Sequence, residues 1–375
     1  MISFESKDCG GIAPNARLCV QGGIFKAKSP QAPELFDRIN QLPDLNCRIH
    51  NNSWGTTWND EQKAQAELGK IKFPQFPYTI YNAEPVDRYA PERPDFFILF
   101  AAGNEGGKAT DTGAQVTACA AAKNVLTVEA TFSNRPMSIG WHVDYTPENE
   151  KLFKQKDPEA YRQGTIVPFS SRGPCKNTQR SKPNVLAPGG AILSTRSKDF
   201  DSKRLDETLQ GASLPPGGQL GNQNIFMSGT SMATPAVSGY AALLREALDS
   251  WQSIKQPTAP LMKALLINGS NVLPDTPRNV QGFGEIDMTK VLRPVKPQIA
   301  NITGGKAASG WTQDVVSKNK STRLKVMRAV ALQAISTLVY HDRPGNQIQN
   351  RMNLYVARAG NRINTAPTTQ YENVH

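Results

Sequence analysis

The chain's apolar positions alternate between strand-length runs and helical stretches through roughly residue 290. DFFILFAAGNEG, residues 95–106, holds a nearly unbroken apolar run that stops at Gly103-Asn104. Such a run fits a strand buried on both faces, and therefore a parallel sheet covered by helices. NVLTVEA at 124–130 repeats the pattern, and RIHNNSWG at 48–55 and ARLCVQGG at 16–23 read as further strands ended by glycine. IVPFSSRGP at 166–174 and NVLAPGGAILSTRS at 184–197 predict two more strand-turn units. Helical spacing appears in APELFDRINQL at 32–42, in the long GTSMATPAVSGYAALLREAL at 229–248, and in PTAPLMKALLINGS, which ends near Gly269. Pro235 comes early in the long helix, where a missing amide does least damage. Residues 56–92 read as a helix plus a surface excursion, and 134–165 as a polar insertion. Strands alternating with helices make an α/β layered fold.

After Arg293-Pro294 the pattern changes. RLKVMRAVALQAISTLVYHD and MNLYVARAG are β-branched or alternating segments between Gly, Asn and Pro turns. They predict a β-sandwich or jelly-roll module, so the domains expected are 1–292 and 293–375. Of the formal charge of +11, residues 291–375 carry +9, from 12 Lys or Arg against 3 Asp or Glu. That is either a solvated basic surface or a face for acidic partners. No zinc-finger spacing or aromatic-basic interleaving supports nucleic-acid binding, and no run of 18 apolar residues supports a membrane span. The five cysteines, Cys9, Cys19, Cys47, Cys119 and Cys175, form no CxxC pair and read as small buried thiols.

Candidate chemistry gathers at FMSGTSMATP, residues 226–235, where Ser231 stands among small residues at the start of the long helix. Orphan amides at a helix N-terminus favour negative charge, so Ser231 is either a cap or a nucleophile. A nucleophile needs reach, a base and oxyanion donors. Asn104 is either a donor of that kind or a turn residue after its strand.

GTSMATPAVSG resembles the nucleophile motif of the subtilisin-like serine proteases (subtilases, peptidase S8). GGIAPNARL, NNSWG, AAGNEG, FSSRGP and KPNVLAPG resemble further segments of that family in the same order, covering about residues 9–290. GFGEIDM, ISTLVYHDRPG, QNRMNLYV and YENVH are similar to segments of the alkaline subtilases that carry a C-terminal β-barrel. The resemblance implies a three-layer sandwich with a mostly parallel central sheet, followed by a β-sandwich or jelly-roll-like domain. It also implies a secreted, monomeric serine endopeptidase acting on extended polypeptides. Ser231 would attack the peptide carbonyl, with Asn104 and the Ser231 amide holding the oxyanion. Ser53, Trp54, Gly55 and Gly103 would line the substrate, with the Trp54 side chain either there or in core packing. No cofactor is required for such chemistry.

The resemblance also shows where the chain departs from the family. The family's aspartate and histidine precede the GGIAPNARL segment, and no HGTH is present. His50, His142, His341 and His375 match no triad position, and Asp8 lies too near the start to be the family aspartate. The expectation is therefore a chain truncated at both ends, missing the N-terminal part of its fold, or a shortened paralogue. Either has little or no proteolytic activity, and the second could be a non-catalytic peptide-binding pseudoprotease. Asn184 stands where the family usually has an acid. Arg351 and Met352 stand where the barrel-bearing relatives tend to show an Asp-Leu pair, and Asn353 where another Asp is common; a positive Arg351 opposes calcium there, and structural calcium elsewhere rests on the resemblance alone. The sequons at Asn51, Asn268, Asn301 and Asn319 matter only in a secretory compartment.

Overall fold

A computed structural model describes residues 10–21, 36, 46–55, 83–106, 116–133, 164–175, 180–190, 192–197, 224–295, 337–345, 347–350, 352, 354–358 and 361–366. Its elements run β1 (Ile49–Asn52), α1 (Ala83–Glu92), β2 (Phe97–Ala101), a 3-10 turn (Cys119–Ala121), β3 (Leu126–Phe132), β4 (Val185–Gly190), β5 (Ile192–Thr195) and β6 (Asn224–Met227). They continue with α2 (Thr230–Gln252), α3 (Ala259–Asn268), β7 (Ser270–Asn271), α4 (Arg278–Gln281), β8 (Glu285–Ile286), α5 (Met288–Leu292), β9 (Leu354–Arg358) and β10 (Asn361–Ala366). The main sheet has the order β1-β2-β3-β4-β8-β7, parallel from β1 through β8 and closed by antiparallel β7. The apolar run at 97–101 is buried at every position, as a central parallel strand requires.

Alternation along the strands builds two cores. Phe97, Leu99, Leu126, Val128 and Ala130 face α2 and α3, meeting Ala233, Val237, Leu244 and Leu265. Phe96, Ile98 and Phe100 face the other way, against Val86, Tyr89 and Ala90 of α1 and the alanines of the 3-10 turn. Each large apolar side chain buried this way contributes about 1.5–3 kcal/mol. The result is a mostly parallel sheet between helical layers.

α2 is rich in alanine and leucine and ends in a left-handed cap, the Ser253 amide bonding the Asp249 carbonyl. Ser253 is left-handed at φ 58°, and the Ile254 amide reaches back to the Leu248 carbonyl. Gly239 lies in its middle because Ile12 packs onto the helix there. A Cβ at Gly239 would come within 2.8 Å of Ile12. Pro235 is in the second turn, later than expected, and its missing N–H is the one that would have bonded the Ser231 carbonyl.

Two expected strands differ. Residues 16–21 form no strand, and Leu18 and Val20 are 56% and 88% exposed, because the segment has no ladder partner among the described residues. IVPFSSRGP makes only an isolated bridge between Ile166 and Thr131. Its serines and carbonyls bond sideways to the 103–106 turn and to β3 instead.

The expected helix at 32–42 lies outside the described residues except for Phe36, as does nearly all of the 134–165 insertion. Within residues 293–375, β9 and β10 pair antiparallel, with a register shift between Arg362 and Asn364. Residues on both sides of the expected 292/293 boundary join one core, since Val295 is buried in it and Val339 packs against it. Among the described residues no helix is long and apolar enough to cross a membrane.

Candidate functional site

Parallel strands present their carboxyl ends together, and that edge is where open α/β sheets bind ligands. Here β1 ends in Ser53-Trp54-Gly55, β2 ends in Gly103-Asn104, and α2 starts beside them. Close glycine contacts bring the helix in. The Gly229 amide donates to the Gly189 carbonyl at 2.9 Å, and a Cβ on Gly189 would lie 2.7 Å from the Gly229 carbonyl oxygen.

Thr230 locks Asn104 to the helix start. Its amide and its hydroxyl each donate to Asn104 Oδ1 at 3.0 Å, and the hydroxyl accepts the Gly103 amide at 3.2 Å. With Oδ1 committed, Nδ2 is turned toward Gly229. A Cβ built on Gly229 would lie 3.6 Å from Asn104 Nδ2 and 3.6 Å from the Ser231 nitrogen. Met232 Sδ is nearer, at 3.3 Å, so two N–H donors and a thioether flank the side of Gly229 where glycine carries no side chain. Asn104 is exposed, Ser231 is partly buried, and the first turn of α2 adds its positive end. Two such donors can hold a developing oxyanion beside a hydroxyl.

Ser231 Oγ donates to the Ser53 carbonyl at 3.0 Å. A carbonyl positions the hydroxyl without being a base that could accept its proton at neutral pH. β1 is tied to α2 by Ser238, whose hydroxyl bonds Asn51 Oδ1, while Asn51 Nδ2 donates to the Ser53 hydroxyl. The Trp54 indole turns into the second core, edge-on to Phe100 at 5.6 Å. Its backbone is what remains for the site. Between the two strand ends sits Thr117, within 2.6–2.8 Å of where a Cβ would stand on Gly55 or Gly103.

The two described histidines lie elsewhere. His50 is on the opposite face of β1 from Asn51, accepting from Asn52 Nδ2 at 2.8 Å and packed against Phe36 and Phe96. Burial pushes it down to about 4. His341 is likewise pushed down to about 4, by burial first and then by Lys263. His142, His375 and Asp8 lie outside the described residues. Both imidazoles are neutral in the folded protein above pH 4, whereas unfolded histidine takes up its proton near 6.5. The stability they lend is full above pH 6.5 and is lost as pH falls toward 4, by up to about 3 kcal/mol each. Urea unfolding at pH 7.5 and 4.5 checks this, and His50→Leu should flatten the difference. An unchanged slope would contradict the assignment.

Cationic side chains fill the carbonyl-rich lower end of β3. Lys182 Nζ donates to the Val125 carbonyl, Thr127 Oγ1 and Asn184 Oδ1, and Lys263 Nζ donates to the Lys123 and Val125 carbonyls. Burial, then Lys263, holds Lys182 well below the usual lysine range. Asn184 keeps hydrogen bonding where an acid was expected, accepting the Thr127 amide as well. Among the described residues no group of three His, Cys, Asp or Glu could hold a metal. Arg351 and Asn353 lie outside them. Cys119 and Cys175 are buried thiols, but against expectation Cys47 is only half-buried and Cys19 is exposed. Cys9 is not among the described residues. Asn51 and Asn268 use their amides internally, the latter toward Thr337.

Sequence reasoning singled out Ser231, Asn104, Ser53, Trp54, Gly55 and Gly103, and the structure brings all of them to one edge. It passed over Thr230, although that residue is inside the quoted motif. It also missed Thr117, for which the pattern holds no signal.

Residues 3–284 match the model of the Peptidase_S8 subtilase family. Serine protease/ABC transporter B family protein tagB of Dictyostelium discoideum is 26% identical over 404 residues, covering 85% of this chain and 20% of that protein. Serine protease AprX of Bacillus subtilis (strain 168) is 36% identical over 123 residues, covering 33% of this chain and 24% of that one. The chain thus spans about a fifth of the length of the longest-matching curated relatives. Among solved structures, that of patellamide maturation protease PatA aligns with TM-score 0.47 at 20% identity, covering 78% of this chain and 80% of that one.

Proposed function

Because this chain belongs to the subtilase family of serine endopeptidases, we propose that Ser231 is the acylating nucleophile of a peptide-cleaving site. Asn104 Nδ2 and the Ser231 amide are its oxyanion donors. The observation that supports this reading is that Asn104 Nδ2 and the Ser231 amide nitrogen both lie 3.6 Å from the Cβ position of Gly229, at the start of the helix that carries the Ser231 hydroxyl. An extended peptide would lie along Ser53-Trp54-Gly55 and Gly103 through backbone groups, as an added strand does. The chemistry is acyl transfer, and these groups need no cofactor for it.

Residues 1–375 by themselves cleave weakly or not at all, since Ser231 Oγ is held by a carbonyl and neither described histidine reaches it. A second reading, a non-catalytic peptide-binding protein, shares the same groove and is favoured by that same bond. We further propose a peptidase unit over 1–292 and a β-rich unit over 293–375, akin to the barrel of alkaline subtilases, in a protein that acts outside the cell.

Thr117, itself buried, fills the space beside Gly55 and Gly103 and leaves little room there for a side chain. The residue preceding the scissile bond is therefore small. Peptide aldehydes differing only at that residue test the groove: alanine should bind about tenfold or more tighter than phenylalanine, and Thr117→Gly should reverse the order. Equal binding of both, or no change on substitution, would sink the placement of the substrate.

A further inference from the structure

We propose that Ser171 is a positioning residue for the oxyanion site, clamping the turn that carries Asn104 from both sides. This rests on the reading of Asn104 as an oxyanion donor. Ser171 is fully buried. Its backbone amide donates to the Gly103 carbonyl at 3.0 Å, and its hydroxyl accepts the Glu105 amide at 3.0 Å. The neighbouring Phe169 carbonyl takes the Gly106 amide at 2.7 Å, so one short segment holds the turn on both sides of its apex. Asn104 is that apex.

The clamp is tight as well as bonded. Gly103 has φ +117°, and a Cβ there would lie 2.7 Å from Ser171 Oγ, so the hydroxyl fills the space a side chain would need. Only glycine combines that backbone with so close an approach. Thr230 holds the far end of the Asn104 side chain, while Ser171 fixes the backbone that launches it. A donor must sit within a few tenths of an ångström of the developing charge, and such precision comes from supporting bonds of this kind. Ser170 is an internal control: equally buried, it accepts the Ala130 amide at 3.0 Å and serves β3 instead of the turn.

The test uses the full chain labelled uniformly with ¹⁵N, with the Asn104 side-chain resonance assigned by its loss in Asn104→Asp. Ser171→Ala should shift or broaden that resonance and speed hydrogen exchange at the Glu105 amide about tenfold or more. Ser170→Ala should leave the Asn104 signal in place while speeding exchange at Ala130. If Ser171→Ala fails to fold, Ser171→Cys, whose sulfur accepts weakly, should move the same signals in the same direction by less. An unmoved Asn104 resonance in the folded variant, or an equal disturbance by Ser170→Ala, would overturn the proposal. Affinity for an alanine-terminated peptide aldehyde, compared between the wild type and Asn104→Ala, reads the oxyanion assignment separately. Equal affinity would remove that assignment without touching the resonance result.

Discussion

Lys123→Ala should lower the unfolding free energy by about 3–5 kcal/mol, the largest stability loss expected of any single change in the chain. Lys123 Nζ and the Asp342 carboxylate are 2.6 Å apart and both side chains are fully buried. Truncating the lysine strands a carboxylate that no water can reach. The ammonium also donates to the Arg343 and Gln347 carbonyls, and Asp342 accepts the Gln349 and Asn350 amides. Asn124 holds the same segment through both backbone groups of Asp342, at 2.8 and 2.9 Å. One buried pair therefore fastens residues 337–350 to the start of β3, 219 positions away in sequence. Against a typical total of about 5–15 kcal/mol, the loss is a large fraction.

Buried ion pairs replaced as a pair by apolar side chains often cost little, but this one should not behave so. Apolar replacement of Asp342 would orphan two backbone amides, so Lys123→Met with Asp342→Leu should recover only part of the loss. Urea unfolding at constant slope measures both changes. A Lys123→Ala effect below about 1 kcal/mol would class the contact with surface pairs and contradict its burial.

The second large effect is on catalysis. An intact serine triad deprived of its base loses on the order of 10⁶-fold in turnover, keeping only what binding and oxyanion donors supply. Residues 1–375 should hydrolyse peptides at that depressed level, and Ser231→Ala should lower it little further. The pairing of Ser231 Oγ with the Ser53 carbonyl gives the physical reason. Proteolysis of an unfolded protein substrate, followed with and without that substitution, checks the expectation.

How far the pattern of residues could be read depended on whether one segment carried its own signal. β2 was legible because five consecutive buried positions leave no other fate for FILFA. α2 and the glycines around Ser231 were legible because motif and helix periodicity coincide. FSSRGP misled because its hydroxyls and carbonyls bond sideways to the 103–106 turn, a partner some 65 positions distant that no local period reveals. The burial of Lys123, Lys182 and Lys263 was invisible for the same reason, since lysine is ordinarily a surface residue; carbonyls at the start of β3 accommodate Lys182 and Lys263, and Asp342 with the Arg343 and Gln347 carbonyls accommodates Lys123. Thr117 gained its place from two glycines on different strands, and nothing adjacent to it announces that.

The most direct measurement is reaction of the full chain with a fluorophosphonate probe, which phosphonylates activated serines, in parallel with Ser231→Ala. The arrangement at Ser231 predicts little or no labelling of either protein beyond background, with the fold of both confirmed by cooperative unfolding. Robust labelling of the wild type that disappears in Ser231→Ala would mean that a base reaches Ser231, and would contradict the claim that residues 1–375 cleave weakly or not at all, while leaving Ser231 as the nucleophile.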